Sequence, residues 1–250
     1  MNRLDTELRR LYLPAGPAAA TTTDPTRLVA PDGRVRALVL ELARPANWNE
    51  LSRAWKGVQT ELEMPAPAIA VDGKGAYQLW FSLAEPVEGR DALKFLDALR
   101  TRFLAEVAPG RIRLEPAHDA SGSALLARAS PLPPAEVAPG QWSAFVTSDL
   151  APLFVEEPWL DHPPGIDAQA DLLSRVASVS TEIFVRASAR LEAAASSTPS
   201  AVAGPAPAPA PDPMEAAGEG LDPRSFLLQV MRDPSVDLRL RIEAAKALLP

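Results

Sequence analysis

The chain has 250 residues, 47% of them hydrophobic and 23% charged, which is enough for one substantial core and a smaller appendage. A net charge of −7 excludes a surface governed throughout by non-specific attraction to nucleic acid, and the absence of cysteine excludes disulfides, thiolate chemistry and cysteine-ligated zinc. His118 and His162 stand alone, so any metal would need carboxylate ligands, and 27 prolines call for a linker or long loops.

The first ten residues carry charges throughout, and no run approaches the ~20 apolar residues of a membrane span, so a cytoplasmic protein with no membrane contact is expected. Residues 1–13 place Leu4, Leu8 and Leu11 on one side of a short helix, and the Ala/Thr/Pro-rich stretch that follows reads as an extended arm, giving an N-terminal unit over 1–33. After the Asp32-Gly33 turn, Arg34 to Leu42 is a β-branched and leucine-rich run that predicts a strand buried for most of its length. From Asn47 to Glu63 the period changes. Leu51, Trp55, Val58 and Leu62 line one helical face, with Asn47 as N-cap and Glu50 three residues on, until Met64-Pro65-Ala66-Pro67 stops the helix.

Ala68 to Leu83 is then two apolar runs around Gly73-Lys74-Gly75, a β-hairpin pattern. A second helix is predicted over Val87 to Val107 from Leu93, Leu96, Leu99 and Phe103, and Arg111 to Glu115 alternates charged and apolar residues like a strand with one buried face. The order β-α-β-β-α-β predicts an α+β protein with a ferredoxin-like or RNA-recognition-motif-like antiparallel sheet and two helices on one face. Short strands are expected within Ser123–Arg128 and Gln141–Thr147. One long closing helix is expected from Ile166 to Leu191, completing a domain over 34–192. Residues 193–220, rich in alanine and proline, read as a disordered linker, and 221–250 as a small helical tail. In that tail Leu238, Ile242, Ala245 and Leu249 form an apolar stripe flanked by Arg239, Arg241 and Lys246. Such a tail needs cover, so a protein partner or self-association through 221–250 is expected.

The strand, helix, proline-bounded approach and small-residue turn followed by Tyr77-Gln78-Leu79-Trp80-Phe81 resemble the catalytic core of archaeo-eukaryotic-type primases, especially plasmid and phage replication primases, over residues 34–116. The resemblance implies that strand 34–42 ends in two metal-holding acids one residue apart, that the hairpin carries a phosphate-contacting histidine, and that a later strand adds a third acid. Glu41 matches the first acid and Ala43 replaces the second. Gln78 stands at the histidine, and Glu115 is the match for the third acid. Two-metal phosphoryl transfer requires several carboxylates, and glutamine cannot supply the charge of an imidazolium, so the motif reads as degenerate. A glycine-bearing turn between apolar strands is equally what any hairpin requires. The C-terminal segment is similar to a helical segment of phage terminase small-subunit-like proteins.

Lys74 in the turn, with Arg111 and Arg113 on one face of a strand, forms a candidate basic patch for a phosphate backbone, and Tyr77 beside it a candidate stacking platform for a base. Solvated edge arginines and a half-buried cross-strand tyrosine give the same pattern. Glu156-Glu157 and Asp161 around Trp159 read as a solvated loop anchored by the ring. His118, Asp119 and the serines at 121 and 123 lack a nucleophile elbow, and Gly73-Lys74-Gly75 lacks the spacing of a phosphate-binding loop.

Three functions follow as expectations. The first is a catalytically degenerate primase-like module of bacterial mobile-element type, associated with single-stranded nucleic acid or an assembly, with no cofactor. The second is an active primase or nucleotidyltransferase, with magnesium held by Glu41 and Glu115. The third is a protein–protein interaction module that does not bind nucleic acid.

Overall fold

The computed structural model describes residues 2–13, 28–30, 32–43, 45–118, 125–126 and 132–197. Helix α1 spans Arg3–Leu11, strand β1 Arg34–Ala43, helix α2 Trp48–Thr60, strands β2 and β3 Ala68–Val71 and Ala76–Glu88, and helix α3 Gly89–Phe103. A 3-10 turn at Pro109–Arg111 leads into β4, Ile112–Glu115, and then come β5 at Ala117–His118, β6 at Leu125–Leu126, β7 at Glu136–Ala138, β8 at Gln141–Trp142 and β9 at Ala144–Val146. A second 3-10 turn at Ala151–Phe154 precedes α4, Ile166–Ser174, and α5, Thr181–Ser197. Of the expected strand within 123–128 only β6 is described, and the expected arm and tail lie outside the described residues, apart from 28–30 and 32–33. The first five residues of the expected linker, 193–197, belong to α5.

The main sheet runs β4-β1-β3-β2-β9 with every neighbouring pair antiparallel, so the protein is α+β with the ferredoxin-like strand order extended by one strand. The predicted local signals hold where they are strongest. Asn47 accepts a hydrogen bond from the backbone N–H of Glu50 at 3.3 Å, capping α2, and Asn2 and Asp5 form a full capping box at the start of α1. One face of the sheet packs on α2 and α3 through Leu38, Leu40, Leu42, Leu79 and Phe81 against Leu51, Val58, Phe95 and Leu99. The two helices approach closely at Gly57, where a Cβ would fall 2.2 Å from the Phe103 ring, so any side chain here would require that ring to move.

The second face is covered as well. Leu4, Leu8, Leu11 and Tyr12 of the α1 segment and Ala170 and Leu173 of α4 pack on Ala37, Val39, Ala70, Trp80 and Phe145. With both sides closed, all eight residues from Ala76 to Leu83 are buried, which accounts for a run that scarcely alternates. Burial on the second face also explains why Glu115 is only 9% exposed although strand periodicity put it among the solvated positions.

The single closing helix expected over 166–191 is two helices on opposite faces. Between them, Val179 donates to the Ser82 carbonyl at 2.7 Å and accepts from the Ala84 N–H at 2.8 Å, forming a parallel bridge to Leu83. The segment 175–180 thus leaves α4 on one face and enters α5 on the other, where Phe184, Ala187 and Leu191 join the core under α3. Arg10 of α1 binds the freed carbonyls at the end of α4, donating to Leu173 O at 2.9 Å and Val176 O at 3.2 Å. Ser82 ties the crossing down, donating to Leu11 O at 2.8 Å and lying 2.7 Å from the Ser178 hydroxyl.

The outer edge of β9 is closed by a side chain. Gln169 accepts from the Phe145 N–H at 2.8 Å and donates to the Phe145 carbonyl at 2.9 Å, taking the place of a further strand. Gln169→Ala leaves both backbone groups buried and unpaired, so a loss of about 2–4 kcal/mol is expected, read as a lower urea midpoint with unchanged m-value.

Candidate functional site

Glu41 is the only acid in the Leu38–Leu42 run, and the register decides its surroundings: it lies opposite Gln78 on β3 and Arg113 on β4. All three side chains meet. Gln78 Nε2 donates to Glu41 Oε2 at 2.8 Å, Arg113 Nη1 donates to Glu41 Oε1 at 3.1 Å, and Trp80 Nε1 donates to Gln78 Oε1 at 2.8 Å. The result is a directional chain in which both carboxylate oxygens and both ends of the amide are used. Glu41 is 4% exposed, Gln78 1% and Trp80 not at all, whereas the Arg113 side chain is half exposed.

Burial pushes the Glu41 carboxyl above its ordinary range; the Gln78 hydrogen bond and the Arg113 charge oppose the shift, and the nearby Asp72 charge adds to it. Glu115 pairs with Val39, two residues along β4 from Arg113, so it and Glu41 are diagonal neighbours on one face, on the order of 7–8 Å apart in the backbone. Among the described residues, no three His, Cys, Asp or Glu side chains gather as a metal-holding group.

The other predicted site residues lie elsewhere. Tyr77 faces the α2 side, fully buried, with its ring 5.8 Å from that of Trp48 and its hydroxyl donating to Ala151 O at 2.6 Å. Neither ring face is open to a base, and desolvation raises its pKa to about 12. Arg111 belongs to the 3-10 turn, not to the strand, so it does not share a face with Arg113. Instead it clamps the β1–α2 loop, donating to Glu50 Oε2 and Pro45 O, each at 2.8 Å. Lys74 is exposed at the hairpin tip, where Asp72 Oδ1 accepts from the N–H groups of residues 74, 75 and 76. That tip is held from outside. Gly73, at φ +80°, sits where a Cβ would meet Val137 at 2.4 Å and the Ser143 nitrogen at 2.9 Å.

A feature without a sequence signal is Tyr12, which ends α1. Its ring packs 5.2 Å from Trp80 and 5.9 Å from Phe145. It is wholly buried, its hydroxyl has no hydrogen-bond partner among the described residues, and desolvation drives its pKa far upward. The Glu41 network was traceable only in part: a lone acid in an apolar strand is a signal, but its partners depend on cross-strand register.

No protein-family model matches the chain, and no curated protein matches it.

Two outcomes test this reading of the site. Tyr12→Phe removes a hydroxyl that lost its water without replacement, so stability in urea should stay level or rise by up to about 1 kcal/mol; a clear loss would reveal a partner. Because the folded pKa of Glu41 lies above its ordinary 4.5, its contribution to stability is complete below that pH and is lost as pH rises through the raised value. Urea midpoints measured upward from pH 4.5 should therefore fall more steeply in the wild type than in Glu41→Gln, and parallel curves would contradict the shift.

Proposed function

We propose that the chain is a non-catalytic assembly module of primase-like ancestry, in which the former catalytic face has become part of the core. One observation carries the reading: both oxygens of Glu41 are occupied by Gln78 and Arg113 beneath a covered sheet face. A carboxylate that serves a magnesium ion must present a free oxygen to metal and triphosphate. Here the glutamine at the histidine position is an internal hydrogen-bond partner, used at both ends. With no charge to offer a phosphate, it stabilises the carboxylate instead.

An assembly role also suits the sequence of residues 221–250, whose apolar stripe with basic flanks is the pattern of a partner hook. Of the three predicted cations, Arg111 and Arg113 are paired to Glu50 and Glu41, which leaves exposed Lys74 to meet a nucleic-acid backbone, a small basis for affinity on a chain of net charge −7.

Primer synthesis on a single-stranded template with magnesium tests the proposal. The expected result is no product above background in either wild type or Glu41→Gln. Synthesis by the wild type that Glu41→Gln abolishes would overturn it and establish an active nucleotidyltransferase.

A further inference from the structure

Four of the five large hydrophobic side chains exposed among the described residues, Leu150, Leu153, Val155 and Ile166, fall in one stretch, and Leu153 is 75% exposed. The same stretch, 149–167, contains five acids and no lysine or arginine. Asp149, Glu156, Glu157, Asp161 and Asp167 are all exposed, and none forms an ion pair among the described residues.

Beside this stretch lies a groove of about 800 Å³ between the β2/β9 edge of the sheet and α4. Ile69, Val146, Phe154, Leu160, Leu172 and Val176 form its apolar floor and walls, with Asp149 and Leu150 at the rim. Its backbone edge is not available for strand addition, because Gln169 already occupies the outward N–H and carbonyl of Phe145. What remains to be recognised is side-chain surface. An apolar trough bordered by a stretch with five exposed acids and no lysine or arginine, against Arg175 as the cation in its lining on the α4 side, complements one common shape, a helix with an aliphatic stripe and basic flanks.

We propose that this groove is a docking site for a basic amphipathic helix of a protein partner. The aliphatic stripe would cover Leu150, Leu153 and the trough, and flanking lysines or arginines would face Asp149, Glu156 and Glu157. The surface is separate from the Glu41 network. Failure of either reading therefore leaves the other in place, since one is read by primer synthesis and the other by peptide binding.

The probe is a fluorescent amphipathic peptide of about 18 residues, five helical turns, built of leucine and lysine, with a leucine–glutamate peptide of the same pattern as control. Anisotropy is measured with the full chain. The lysine peptide should bind saturably and the glutamate peptide should not. Affinity should fall with rising salt and fall about tenfold in Leu153→Asp, which is exposed enough to be replaced without disturbing the fold. Glu156→Gln with Glu157→Gln should weaken binding and flatten the salt dependence.

Equal binding of both peptides would overturn the proposal in favour of a general apolar ligand. Binding indifferent to Leu153→Asp would place the contact elsewhere. A dimer in sedimentation, dispersed by Leu153→Asp, would assign the groove to a second copy of the chain, and absence of binding would remove the site.

Discussion

The structure depends on one constraint: the run Ala76–Leu83 in the middle of the sheet must be buried on both of its faces. A strand with Tyr77, Leu79 and Phe81 on one side and Trp80 on the other offers no face to water. A single layer of helices, as the ferredoxin-like order ordinarily supplies, would leave the indole and its neighbours Val39, Ala70 and Phe145 uncovered. Helices α1 and α4 supply the second layer. The two polar residues in the run are then deep in the protein and must be paired, as they are: Gln78 to Glu41 and Trp80, Ser82 to Leu11 and Ser178.

The chain has to reach both faces to meet this constraint, and it does so by breaking what reads as one amphipathic helix. Serine and valine at 174–180 are weak helix formers, and the backbone there finds better hydrogen bonds against Ser82 and Ala84 than it would in a continued helix. Breaking the helix exposes the carbonyls at the end of α4, and the Arg10 guanidinium satisfies them from α1. Closure of the second face is therefore cooperative. Helix α1, the crossing segment and the end of α4 each use a hydrogen-bonding group supplied by another, so their energies are not additive.

This arrangement separates what the sequence could disclose from what it could not. Local signals were enough for the α1 leucines, the Asn47 cap and the hairpin, because each depends on residues within a few positions of one another, and the strand order followed from the β-α-β-β-α-β succession of elements. The stripe assigned to α3 was slightly rotated, since Ala92 and Phe95 are buried while Leu93 is only half-buried. A count of leucines cannot weigh a buried alanine. The roles of Arg111, Tyr77 and Gln169 could not be read at all, because each is set by a contact across 24 to 74 positions in the chain. Period-two reasoning placed Arg111 beside Arg113, and it failed because the strand begins one residue later, at Ile112.

The covered second face also bears on what the molecule offers to others. A sheet face that binds a polyanion must be open and must keep its cations unpaired, whereas here Arg113 is turned to Glu41, and Arg111 to Glu50 and two backbone carbonyls. The charge of Arg113 is spent on this face internally, in the pairing that makes burial of Glu41 tolerable, and that of Arg111 in holding the β1–α2 loop. Surface chemistry that the fold has not used is concentrated instead at the β2/β9 edge, where Leu150 and Leu153 stay exposed beside acids that no described cation meets. On the proposed reading the two facts have one cause: closing the sheet removed the ancestral surface from use, and the added strand β9 with its following loop created a new one at the edge.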